Sequence, residues 1–136
     1  MSEANKQLVR RWFEEVWNKQ NADAITEMFA PEGKGYGFPD TDSVLIGPEE
    51  FKTIHRNFCG AFPDLRVTVE DVVAEGDRVA VRWNVNMTHR GDHLGFAATG
   101  KKTSLNGSSF MIVKGGQIVE GWNQMDMLSM IQRLTA

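Results

Sequence analysis

The chain has 136 residues, a mixed charge pattern with a formal net of −3, and one cysteine. That length suits a single domain over residues 1–136. The charge gives no reason to expect nucleic acid or an anionic membrane as partner, and no apolar run nears the ~20 residues of a membrane span. The polar start "MSEANKQ" lacks an apolar signal region, and a lone Cys59 excludes an internal disulfide, so the expectation is a cytoplasmic protein.

In chain order, Leu8, Val9, Trp12, Phe13, Val16 and Trp17 recur at helical spacing, with Ser2 as a possible cap. A short second helix carries Ile25, Met28 and Phe29, and Pro31 should end it. "GKGYGFPDTD" reads as a short strand running into a loop. A third helix begins at Gly47-Pro48 and stops before Pro63, with Phe51, Ile54, His55, Phe58, Cys59 and Phe62 on one face. Then the period changes to two. "LRVTVEDVVAEG", "RVAVRWNVNMTH", "KKTSLNGSSFMIV" and "QIVEGWNQMD" are four strands, turning at Gly76-Asp77 and Gly115-Gly116, and "MLSMIQRL" is a closing helix. Helices followed by an antiparallel meander make an α+β fold with the helices on one face of the sheet. "GFAATGKKT" approaches the phosphate-cradling pattern, but Lys102 stands where a hydroxyl is needed and no helix follows, so it is a connection between strands.

Both sheet faces carry large apolar residues. Something besides the helices must then cover part of the second face, and the economical candidate is a second copy, giving a homodimer. Pairing the last hairpin about Gly115-Gly116 sets Ser108 opposite Asn123 and Phe110 opposite Gly121. Asn84 and Arg82 on the long strand would join Ser108, Phe110, Asn123 and Met125 around a pocket for a small apolar or carbonyl-containing ligand. Tyr36 would reach its mouth. Trp83, Met111, Glu120 and Trp122 would form the dimer face. His89 and His93 lie at a strand end and in a loop, where their spacing has no metal-binding meaning, so no metal is expected.

The order of elements, the segment "THRGDHLGFAATGKK" and the ending "GGQIVEGWNQMDMLSMIQRL" resemble the SnoaL-like polyketide cyclases, within the NTF2-like or cystatin-like cone superfamily. The resemblance covers essentially the whole chain. It implies a curved, mainly antiparallel sheet wrapped over helices, a deep apolar pocket, frequent sheet-to-sheet dimers, and cofactor-independent enzymes such as cyclases, isomerases, epoxide hydrolases and dehydratases. Such cyclases use a carboxylate on the last strand, but the matching position here is Asn123. The Arg-x-Asp of limonene-type epoxide hydrolases reads Arg82-Trp83-Asn84. Ser108 stands at the isomerases' protonated Asp, and Gly37 lies near their base. Two candidates remain for proton transfer. Asp126 has the alternative of capping the last helix, and His89 would sit at the pocket rim. Arg82 would hold an oxygen anion, with Asn84 and Asn123 orienting the substrate. The competing reading is a protein that binds a ligand in the same pocket without chemistry.

Overall fold

The computed structural model describes residues 2–40 and 42–136. Helix α1 (Ser2–Trp12) runs directly into a π-helical stretch, Phe13–Asn18. The wider turn lets Trp12, Phe13, Val16 and Trp17 all turn inward and bury. The first helix starts at Ser2, whose hydroxyl accepts from Gly76 N–H at 3.1 Å, fastening the helix to a strand turn. Helix α2 (Ala22–Met28) is capped by the Asn21 side chain. It ends at Met28, and Pro31 lies inside strand β1 (Phe29–Tyr36), which begins earlier than the sequence pattern indicated. A three-residue strand, β2 (Val44–Ile46), follows just beyond the segment "GKGYGFPDTD", of which Thr41 lies outside the described residues. Helix α3 (Gly47–Ala61) starts at the expected Gly-Pro. Strands β3 (Arg66–Glu75), β4 (Arg78–Thr88), β5 (Lys102–Lys114) and β6 (Gln117–Met125) match the four period-two segments, and α4 (Met127–Thr135) closes the chain.

The sheet order is β2-β1-β6-β5-β4-β3. Neighbouring strands run antiparallel except β1 and β6, which are parallel, so the sheet is mixed and curved around the helices. From β4 the inward residues are Val79, Val81, Trp83, Val85 and Met87; from β5 they are Leu105, Ser109, Met111 and Val113. All are buried, and all but Ser109 meet Val9, Phe13, Val16, Phe58 and Phe62 from the helices in one apolar cluster.

Two bulges re-aim the strands. On β6, Ile112 pairs with Glu120 while Val113 pairs with Ile118, so Val119 is an extra residue. Beyond it the register is one residue away from the uninterrupted hairpin: Ser109, not Ser108, faces Asn123, and Phe110 faces Trp122, not Gly121. A single-residue shift exchanges the two faces of a strand. Ile118 and Gly121 both point inward because Val119 absorbs the parity. On β3, Val69 pairs with Trp83 and Asp71 with Arg82, leaving Glu70 as the extra residue.

Candidate functional site

A cavity lies between the helices and the inner sheet face. Its helical wall is Trp12, Phe13, Trp17, Phe51 and Phe58, with Phe29 and Phe38 beside them. The sheet wall is Trp83, Val85, Leu105, Ser109, Met111, Ile118, Gly121, Asn123 and Met125. The space open to the centres of water-sized spheres is about 70 Å³, several times the ~10–15 Å³ that one water requires.

Ser109 and Asn123 are the hydrogen-bonding side chains in this wall besides the Trp indoles, and they form a chain. Trp83 Nε1–H donates to Ser109 Oγ at 3.0 Å, and Ser109 O–H donates to Asn123 Oδ1 at 2.7 Å. Asn123 Nδ2 donates to the Tyr36 carbonyl at 3.2 Å. The chain fixes the amide's orientation and leaves its second N–H uncommitted. Among the described residues lining the cavity there is no carboxylate, imidazole or cation.

The structure divides the sequence-predicted site. Asn123 and Met125 line the cavity together. Arg82 does not: it alternates with the buried Val81 and Trp83 and is exposed on the outer face, where the Glu70 bulge brings Asp71 opposite it at 2.6 Å, with Glu70 at 3.2 Å. Asn84 also faces outward and bonds Asn106. Ser108 and Phe110 face outward because β5 alternates from the buried Ser109 and Met111. The Tyr36 hydroxyl turns away from the cavity and donates to Glu120 at 2.9 Å, which raises its pKa above the ordinary tyrosine value. Of the residues expected at a dimer face, Trp83 and Met111 are buried against the cavity, whereas Glu120 and Trp122 do lie on the outer face. There Trp122 stacks on Tyr36 and meets the edge of Phe110, which is 40% exposed.

Asp126 caps α4: Ser129 N–H and O–H donate to its carboxylate at 3.0 and 2.7 Å, holding its pKa below the usual range. It is exposed and lines no part of the cavity. His89 is not at a rim but fully buried, against Phe62 and Phe96. The residues missed by sequence reasoning are Ser109 and the inward Trp83. The sequence signal for Ser109 is the adjacent β-branched pair Ile118-Val119 that marks the bulge; Trp83 shares the alternating apolar face of Val79, Val81, Val85 and Met87.

His55 packs on Trp17 and donates from Nε2 to the Val16 carbonyl at 2.6 Å. That carbonyl lies at the end of the π-helical stretch, where backbone partners run out. Burial, with a smaller push from Arg56, lowers the His55 pKa despite that hydrogen bond. The unfolded chain then binds more protons than the folded one below the ordinary value of about 6.5. Stability should be complete above pH ~6.5 and decline as the pH falls through the folded-state pKa. Urea midpoints from pH 7.5 to 4.5, with NMR titration of the imidazole, test this, and an imidazole titrating at or above 6.5 would refute it. The Cys59 thiol, next to His55, is pushed up to about 12 by burial and is a packing group, not a nucleophile.

A family model described as SnoaL-like polyketide cyclase matches residues 7–134. The chain belongs to this family. Among solved structures, a provisionally assigned SnoaL-like polyketide cyclase from Jannaschia sp. is 25% identical, with a TM-score of 0.90 over 100% of this chain and 94% of its own. AclR of Streptomyces galilaeus, described as a candidate hydroxylase, is 27% identical with a TM-score of 0.84, covering 99% of this chain and 87% of its own. A protein of ketosteroid isomerase-like fold from Catenulispora acidiphila, in complex with trimethylamine, is 15% identical with a TM-score of 0.78, covering 94% and 92%, and shares the fold. No curated protein sequence matches the chain. Membership of the SnoaL-like polyketide cyclase family points to cyclase-type activity. No helix among the described residues is long and apolar enough to cross a membrane.

Proposed function

We infer that this SnoaL-like chain binds a small, mostly apolar molecule carrying a carbonyl oxygen, with the oxygen directed at Asn123. The observation that carries this reading is the wall of the cavity: aromatic and aliphatic, with a hydrogen-bonded Ser109–Asn123 pair and no ionisable group among the described lining residues. Such a wall orients a ligand but has no base to move its protons. A second reading is supported by family membership: a cofactor-independent cyclase or isomerase in which the free Asn123 N–H stabilises a developing enolate oxygen. In that case the proton acceptor comes from the substrate or from water, since Asp126 and His89 are outside the cavity wall. The outer-face cluster of Tyr36, Phe110, Glu120 and Trp122 supports a homodimer packed through the sheet, with Phe110 covered by the second copy.

Gly121 provides the test of the cavity. A Cβ built there approaches nothing closer than Met111 Cγ at 3.8 Å, so a side chain enters the empty space without backbone conflict. Gly121→Leu should fold and bind 2-acetonaphthone, followed by tryptophan quenching, at least about tenfold more weakly than wild type. Unchanged affinity in the folded variant would mean that the ligand sits elsewhere.

A further inference from the structure

His89 holds the one buried side-chain nitrogen or oxygen among the described residues that has no hydrogen-bond partner: its Nε2. Thr99 N–H donates to His89 Nδ1 at 3.1 Å, so the hydrogen of the uncharged ring sits on Nε2. A polar group buried in this way normally finds a partner, and an unmet donor is a standing destabilisation. The ring lies between Phe62, with centroids 5.6 Å apart, and Phe96 at 5.0 Å. Phe62 in turn touches Phe58 at 4.9 Å, and Phe58 is cavity wall. Two aromatic rings in series, Phe58 in the wall and Phe62 behind it, therefore stand between the cavity and an unsatisfied N–H. Phe62 stands just past the last turn of α3, where its side chain can change rotamer without breaking the helix. The cavity itself, at about 70 Å³, is several-fold smaller than the ~300–1,000 Å³ typical of ligand sites.

We propose that the cavity has a closed extension behind Phe62 that ends at His89 Nε2, and that this nitrogen donates to an acceptor oxygen at the far end of an elongated apolar ligand. The proposal rests on the cavity being the ligand site. It assigns His89 a binding role, with no proton transferred, and narrows the ligand class to molecules with a second acceptor oxygen remote from the one at Asn123. Rotation of Phe58 and Phe62 together joins the cavity to this extension and gives the buried donor its partner in the same movement.

The test titrates the wild-type protein with 2,6-diacetylnaphthalene and, as the oxygen-free control, 2,6-diethylnaphthalene. Tryptophan quenching reports the cavity, whose wall includes Trp12, Trp17 and Trp83. The 15N resonance of His89 Nε2 reports the extension. Quenching by both compounds, with a His89 Nε2 shift from the diacetyl compound alone, is the expected result. His89→Phe should bind the diacetyl compound about three- to tenfold more weakly and the diethyl compound equally. Quenching without the Nε2 shift overturns the extension and leaves the cavity standing. Absence of both overturns both. The wild-type measurement decides the matter even if His89→Phe fails to fold.

Discussion

Asn123→Asp should give this protein a base where it has none, raising exchange of the α-hydrogens of 2-tetralone with solvent by about 10²-fold or more over wild type. Asn123 lies in the cavity wall, with Ser109 fixing its Oδ1, so the new carboxylate replaces the amide at the place where a carbonyl compound would sit. Its second oxygen, however, falls where Asn123 Nδ2 donates to the Tyr36 carbonyl. Two acceptors cannot bond there unless the acid is protonated. Burial against Trp83 and Met125 adds to this, so the carboxyl pKa should rise above the ordinary ~3.9, although Ser109's donated hydrogen favours the ionised form. With the folded pKa raised above the unfolded one, the variant's stability is intact below pH ~4 and is lost as pH rises through the folded value. Matched urea melts should show near parity with wild type at pH 4 and a deficit of about 3 kcal/mol at pH 8. Proton exchange measured by deuterium incorporation provides the functional half. A folded variant with wild-type exchange would remove Asn123 from the reacting position and with it the enolate reading.

Gly37→Ala should be the more damaging substitution to the fold, costing about 3 kcal/mol or more and lowering Tm by roughly 10 °C. Two causes add. Gly37 has φ +83°, which an L residue with a Cβ resists, and a Cβ there would overlap the carbonyl oxygen of Asn123 on β6. The neighbour is backbone, so it cannot swing aside. The β1–β6 approach that Gly37 permits also places the Tyr36 carbonyl against the Asn123 amide, and Phe38 in the cavity wall. Binding of 2-acetonaphthone should therefore fall together with stability. Gly115→Ala is the control: its φ is +59°, but nothing lies within 4 Å of its Cβ, so it should lose only about 1–2 kcal/mol. Equal thermal shifts in the two variants would rule out the backbone collision as the cause.

What the sequence determined by itself is what depends on local periodicity. The 3.6-residue recurrence of Phe51, Ile54, His55 and Phe58, and the alternation through Val79 to Met87, each require one apolar face, and so fix the element types and the α+β class. Gly76-Asp77, Gly115-Gly116 and Gly47-Pro48 fixed two turns and a helix start through φ preferences that need no distant partner. Asn123 and Met125 were placed at the pocket because both lie on one strand at a spacing of two. The remainder of the site depended on pairing between strands. One extra residue at Val119 changed Asn123's neighbour from Ser108 to Ser109, and one at Glu70 brought Asp71 opposite Arg82 on the outer face. A bulge is chosen by how the whole sheet curves over its core, and it leaves only a pair of like residues in the sequence, Ile118-Val119 or Glu70-Asp71. The burial of His89 and the inward turn of Trp83 were likewise decided in three dimensions. Which face of a strand meets the helices is settled by total apolar burial across all the strands together, and no single strand contains that sum.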